Sequence, residues 1–331
     1  MTSLPVLRPY RQKGNAVVAQ RTALPAGLFG RSTCVRATLV VSVLCSLFGL
    51  AAPASGQETK LEARSVEAGG VAIHRAGQAW PLLVQNAPPD VRPWIHPIVA
   101  PDGKGILTEE SPSHHKHQTG LFFGFTRVNG RDYFHKRGGD YYRRKAFEPA
   151  KITGPKASWS TAYELLGEEG AVALVETQKW TLTDHGGHLV LDLDWSGKAA
   201  VDLAMAKFDY GGLFLRMPWR KEMGGEAVNS EGLKGGEVEG KRSRWVEMGM
   251  PVEGRSDWGR IAILDHPSNS DHPAFWRVDG SLGVGPARSR AGDWSIKHGE
   301  TVRFRYRILV YTGPAAGEKV ESEWKTFSES R

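Results

Sequence analysis

Acidic residues are missing from the first 57 positions of this 331-residue chain, and cysteine is missing from everything after position 45. The same opening stretch holds six basic residues (Arg8, Arg11, Lys13, Arg21, Arg31 and Arg36) and both cysteines, Cys34 and Cys45. Residues 37–54, ATLVVSVLCSLFGLAAPA, are apolar and uncharged, and Glu58 is the first carboxylate. A basic start, an apolar centre and a small-residue cleavage zone near 54–57 are the parts of a secretory signal. The expectation is a leader over 1–57 and one exported domain over 58–331, periplasmic or extracellular once cleaved. Left uncleaved, the apolar run just reaches the roughly 18 residues a membrane span needs, so membrane contact is expected only through the leader.

Without the leader the charge reading changes. The whole chain is +7; less the leader's +6, the remainder carries +1, too little to point to a nucleic-acid partner. A domain without cysteine has no disulfide, no thiol nucleophile and no thiolate metal site. Helical periodicity is also scarce. Only 315–328, with Val320, Trp324 and Phe327 at helical spacing, reads as a helix. No heptads, solenoid repeats or low-complexity tracts occur.

Short apolar runs separated by Gly, Pro, Asn and Asp fill the rest. They cover 70–75, 80–85, 94–100, 119–128, 131–135, 179–184, 188–195, 200–208, 212–217, 260–264 and 301–311. In the last, Val302, Phe304, Tyr306, Ile308 and Val310 alternate with Arg303, Arg305 and Arg307, the period of a half-buried strand. The Gly-rich, charged stretch 223–255 reads as a long surface excursion. Many strands with few intervening helices predict an all-β fold, a large antiparallel β-sandwich with a short C-terminal helix.

The densest chemistry lies in S-P-S-H-H-K-H-Q-T-G-L-F-F-G-F, residues 111–125. Asn129-Gly130 then forms a two-residue hairpin turn, both residues tolerating positive φ. Counting the pleat back from that turn puts His115 and His117 on one face with Leu121, Phe123 and Phe125. An H-x-H pair offers two neutral imidazoles to a divalent metal, with a third ligand from elsewhere. It equally offers a general base, since imidazole titrates near neutral pH. Asp265, His266 and Asn269 follow the apolar strand 261–264 and could add a carboxylate, an imidazole and an amide, or simply shape a turn. Arg216, in DYGGLFLR, can fork onto a carboxylate or onto hydroxyls. His96, in WIHP, can complete the set. No phosphate-cradling glycine loop, nucleophile elbow or Ser/His/Asp order is present.

RPWIHPI (92–98), HHKHQTGLFFG (114–124), VNGRDY (128–133), YGGLFLR (210–216), IAILDHPSN (261–269) and GETVRFRYR (299–307) together resemble the PmoA-type family of bacterial exported proteins, labelled methane oxygenase. Gln118 stands where that family's pattern carries a histidine. The resemblance implies a galactose-mutarotase-like supersandwich, a fold whose members mostly bind or transform carbohydrates. On that basis His115, His117, Asp265 and His266 are expected to be catalytic, and His96, Gln118, Arg216 and Asn269 to bind substrate. The leading expectation is an enzyme using His acid/base chemistry on a carbohydrate or sugar derivative, with a small molecule or glycan as its partner. Its alternatives are a metal-dependent oxygenase, with His115, His117 and Asp265 holding a divalent ion, and a non-catalytic glycan-binding module. No motif requires a cofactor.

The leader makes one checkable claim. Mass mapping of the exported protein from a bacterial host should find its N-terminus within residues 54–58. A mature protein still carrying Arg8–Arg36 peptides would refute cleavage.

Overall fold

A computed structural model of the chain describes residues 60–67 and 69–330. The expected leader, its cleavage zone and both cysteines lie outside the described residues.

Two eight-stranded antiparallel sheets face one another. The first runs β1 (Leu61–Ser65), β2 (Gly70–Arg75), β3 (Leu83–Asn86), β4 (Trp94–Ile98), β5 (Leu121–Gly124), β11 (Gly212–Arg216), β16 (Gly283–Pro286) and β15 (Trp276–Val278). The second runs β12 (Glu226–Asn229), β13 (Trp245–Pro251), β14 (Trp258–Asp265), β18 (Thr301–Thr312), β9 (Leu189–Ala199), β8 (Val172–Asp184), β7 (Lys156–Leu166) and β6 (Tyr142–Thr153). A small ribbon pairs β10 (Leu203–Met205) with β17 (Trp294–Ile296). The helix α1 (Gly317–Ser328) closes the chain. The expected antiparallel β architecture with one C-terminal helix is therefore what the chain adopts.

Alternation drives the layering. Leu121, Phe123, Leu213, Leu215, Trp276 and Val284 of the first sheet meet Trp195, Phe304, Tyr306 and Ile308 of the second in one core. Phe123 stacks on Trp195 at 4.4 Å between ring centroids. Each such side chain, fully buried, contributes about 1.5–3 kcal/mol. The arginines of β18 point the other way, and Arg307 forks onto Asp192 of the neighbouring β9 at 2.7 and 2.9 Å. On that outer side of the second sheet, Val320 and Phe327 of α1 cover Leu264, Leu309 and Tyr311.

Two expectations are corrected. The stretch 223–255 is not a surface excursion; it supplies β12 and β13 to the second sheet. β13 is covered on both faces, with Val246, Met248 and Met250 in the main core and Trp245 against α1. A strand buried on both sides loses the alternation by which an exposed one is recognised. The pleat count from the hairpin also fails. Val128 and Arg131 do exchange backbone hydrogen bonds of 2.8 and 2.9 Å around Asn129-Gly130. The strand itself spans only Leu121–Gly124, and 131–135 is a turn rather than a strand.

One acid is sealed in the core. Glu176 is 1 % exposed and accepts hydrogen bonds from Trp195 Nε1 (2.8 Å) and Gln178 Nε2 (3.1 Å). Burial pushes its carboxyl up to about 7, against the opposing pull of those bonds and of Arg92. The folded state thus holds a proton that the unfolded chain releases near its ordinary 4.5. The stabilisation this proton brings is complete below about pH 4.5 and is lost as pH rises through about 7. Glu176→Gln should remove that dependence. The urea midpoints of wild type and variant should diverge between pH 5 and pH 8, by on the order of 3 kcal/mol in favour of the variant. Parallel curves would refute a protonated Glu176.

Candidate active site

Phe122 of β5 and Phe214 of β11 point away from the core, to the outer face of the first sheet, where Phe134 joins them. Arg92 lies beneath this patch, 0 % exposed, with its guanidinium 3.7 Å from the centre of the Phe122 ring. It donates to the backbone carbonyls of His117 (2.7 Å), Phe134 (2.5 Å) and Tyr133 (3.3 Å). Loss of hydration lowers its pKa to about 10, so the cation persists at neutral pH. One buried fork thereby ties two irregular segments, 111–118 and 132–135, side by side.

The first segment is a tight loop. Ser111 N donates to the Gln118 carbonyl at 2.7 Å, and Gln118 N to that of His115 at 3.0 Å. At Gly120, φ is +64°, and any Cβ would strike the Ile95 carbonyl. Only glycine passes there, and the turn it permits breaks the pleat. His117 consequently leaves the face of Phe123 and packs 5.7 Å from Phe134, on the opposite side of the sheet.

Against this patch opens a cleft of ≈ 110 Å³. At roughly 30 Å³ of liquid volume per water, it holds on the order of four waters. His115, His117 and Gln118 form one wall, Phe134 and Phe214 part of the floor, and His135, Tyr210, Arg277 and Asp279 the rest. Asp132 stands behind His135. Its Oδ1 accepts from the backbone N–H groups of Phe134 and His135, both at 3.0 Å, and its Oδ2 lies 2.6 Å from His135 Nδ1. Burial raises the Asp132 pKa, but the bonds from His135 outweigh it and hold the carboxyl below its usual range. A carboxylate at Nδ1 selects the tautomer protonated there. The opposite nitrogen, Nε2, is then an acceptor for the Tyr210 hydroxyl, 3.2 Å away.

The other imidazoles are kept neutral. His117 packs 4.4 Å from the His135 ring, and burial, then His135 and Arg92, push its pKa down to about 3. His115 is lowered by burial and next by Arg216. Arg216 itself is 0 % exposed behind the wall. Its Nε donates to Gln118 Oε1 at 2.5 Å, and its two terminal nitrogens meet Asp279 at 3.2 and 2.5 Å. Gly283, paired with Arg216 across β16, leaves room for that ion pair, which any Cβ there would strike.

The structure divides the eight residues expected to share one cleft. His115, His117 and Gln118 line it, and Arg216 braces it from behind. His96 belongs to a separate groove with Glu109, Glu110 and Arg220. There its Nδ1 lies 3.0 Å from Thr108 Oγ1, and burial lowers its pKa to about 4. Asp265, His266 and Asn269 are in the other sheet, at the end of β14. Asp265 accepts from Asn269 Nδ2 (2.7 Å) and the Ala274 N–H (2.9 Å), and contacts His272 Nδ1 (2.7 Å). His266 bonds Ser268 and Arg305, and Asn269 accepts from the Arg305 N–H. This loop seats α1, since Trp324 Nε1 donates to the Asp265 carbonyl at 2.9 Å. Asp265 therefore cannot serve His115 and His117 as a third metal ligand or as their orienting carboxylate. Among the described residues, no group of three His, Cys, Asp or Glu side chains is arranged to hold a metal ion.

Sequence reasoning passed over Asp132, His135, Tyr210, Arg277 and Asp279. The one local signal was Asp132-Tyr-Phe-His135 directly after the Asn-Gly turn, an Asp capping its own turn with a histidine three residues on. The others come from segments up to about 150 positions away, which only folding unites.

Residues 79–325 match a family of unknown function (DUF6807), and the chain belongs to that family. The family's description names no activity, so it lends nothing to the methane oxygenase label. No curated protein matches the chain by sequence. Among solved structures, it is similar to a galactose 1-epimerase from Lactobacillus acidophilus NCFM, at 8 % identity and a TM-score of 0.38, covering 77 % of this chain and 100 % of that one. It is also similar to an alpha-galactosidase from Lactobacillus brevis, at 10 % identity and a TM-score of 0.33, covering 82 % of this chain and 42 % of that one. A putative kojibiose phosphorylase from human microbiome shares 7 % identity at a TM-score of 0.37, over 83 % and 33 % of the two chains. This chain thus spans less than half the length of the latter two.

Arg92 is the element on which this site geometry stands. Arg92→Met should leave the carbonyls of His117 and Phe134 without their donor, the Tyr133 carbonyl keeping the Tyr142 hydroxyl at 2.7 Å, and lower stability by about 3 kcal/mol or more, read from urea midpoints. Arg92→Lys, a single nitrogen in place of a fork, should recover little. A lysine variant as stable as wild type would refute the clamp.

Proposed function

We propose that this member of the unknown-function family is an enzyme that moves protons on a sugar or sugar derivative bound in the His115–His135 cleft. The observation that carries the reading is the hydrogen-bonded series Asp132–His135–Tyr210, which ends with a hydroxyl at the wall of a hollow lined by polar and aromatic side chains. Asp132 orients the imidazole and would stabilise it once charged. His135 accepts the proton at Nε2, and Tyr210 carries it between imidazole and ligand. His115 and His117, neutral at physiological pH, hydrogen-bond ligand hydroxyls without competing for the proton, and Gln118 presents its amide alongside. The aromatic patch of Phe134 and Phe214 offers apolar surface to the C–H face of a sugar ring.

The glycan-binding alternative expected tryptophan at the binding surface. No tryptophan lines this cleft, whereas three histidines do. We also propose export through the 1–57 leader, which would bring the cleft to glycans outside the cytoplasm.

Saturation-transfer NMR with D-glucose, D-galactose, D-mannose and their uronates should identify a bound sugar. Incubating that sugar with the protein should then change its anomeric, epimeric or cleavage state. His135→Ala and Tyr210→Phe should each slow this change about 10²–10⁴-fold with the circular dichroism spectrum unaltered. Full turnover in both variants would remove the relay from the mechanism, and no binding across the whole panel would remove the sugar.

A further inference from the structure

The polar groups around the cleft are not all free to meet a ligand. Asp279 spends both oxygens on the protein: Oδ1 accepts from the N–H groups of Ser281 (2.9 Å) and Gly283 (2.8 Å), and both oxygens receive Arg216. Gln118 Oε1 is likewise committed to Arg216. Arg277 is different. It lies on β15, two residues before Asp279, its side chain is 33 % exposed, and its guanidinium lies 5.5 Å from the centre of the Tyr210 ring. Among the described residues its one hydrogen bond runs from Nη1 to Glu239 Oε1 at 3.0 Å.

Glu239 occupies it only in part. The same carboxylate receives Arg290 at 2.6 Å and the Val278 N–H at 2.6 Å. Glu239 is thus shared by two guanidiniums, with Arg290 also 3.9 Å from Asp209, and Arg277, which lines the cleft, keeps part of its fork without a hydrogen bond among the described residues. On the opposite wall, His115 Nδ1 is buried with no hydrogen-bond partner among the described residues. Burial and then Arg216 work against a charge on that imidazole, Asp279 opposes them, and Arg277 adds a smaller contribution on the side of Arg216.

A cleft made only for hydroxyls has no use for a guanidinium with half its fork unpaired beside its relay. We infer that the ligand carries a carboxylate and that Arg277 receives it: the substrate class is an acidic sugar of the hexuronate kind. This rests on the sugar reading above and sharpens it. The geometry suits a planar, singly charged carboxylate, which a guanidinium edge binds through two parallel N–H bonds. A phosphate monoester, with nearly twice the charge, calls for more than one free cation or a helix N-terminus, and neither lines the cleft. The carboxylate on Arg277 would place the ring carbon that bears it next to Tyr210, whose ring the guanidinium faces.

The experiment is a set of calorimetric titrations of the full-length exported protein with D-galacturonate, D-galactose, D-glucuronate, D-glucose and galactose 6-phosphate at fixed ionic strength. At least one uronate should bind tenfold or more tightly than its neutral parent, and the advantage should shrink as salt is raised. Arg277→Gln should abolish the advantage while neutral-hexose binding persists, and Arg277→Lys should restore part of it. Neutral and acidic sugars binding alike, a preference for the phosphate, or an advantage that survives Arg277→Gln would overturn the carboxylate assignment and leave the sugar reading standing. Failure of every sugar to bind would overturn both.

Discussion

A guanidinium buried without a bonded carboxylate governs the chemistry of this protein's outer face. Arg92 is held by carbonyl oxygens and by the π-face of Phe122, and each carbonyl belongs to a segment with no regular partner of its own. Desolvating a cation is costly, and here the two terminal nitrogens offset that cost through their carbonyl bonds, while Nε stays buried without a partner among the described residues. The two loops are therefore bound to the cation's geometry, and the cation to theirs. His117 and His135, 18 positions apart in sequence, come to lie 4.4 Å ring to ring as a consequence.

Charge is handled in the same way around the cleft. Arg216 braces Gln118 and Asp279, while Glu239 serves Arg277 and Arg290 together. These pairs frame the cavity, with Arg277 and Asp279 in its wall beside three imidazoles, one amide and one phenol. The proposed relay Asp132–His135–Tyr210 has His117 as its neighbour, 4.4 Å ring to ring and kept neutral chiefly by burial.

The second sheet plays a supporting part. Its inner face completes the core, and its outer face is sealed by α1, whose Trp324 is tied to the end of β14. The polar loop after β14 looked functional because Asp, His and Asn after an apolar strand are also what a binding loop contains. Here they seat a helix. The same residue types close a turn and bind a ligand with the same hydrogen bonds, so composition cannot separate the two uses.

Much of the architecture could be read from residue order. The alternation in β18, the runs at 70–75 and 188–195, the Asn-Gly hairpin and the helical spacing of Val320, Trp324 and Phe327 each encode a local period, and local periods survive into the fold. His115, His117 and Gln118 were legible as a cluster for the same reason, being neighbours in sequence. Their orientation was not, since one glycine at position 120 turned the loop to the other side of the sheet. Nor were their partners: Tyr210, Arg277 and Asp279 reach the cleft only because β5, β11, β16 and β15 lie side by side. The sequence by itself determined the strands with a clear local period, the turn and the presence of imidazoles, while the strands at 142–166 and 226–251 escaped it. Tertiary structure alone decided which carboxylate meets which imidazole, because strand pairing joins residues without regard to their distance along the chain.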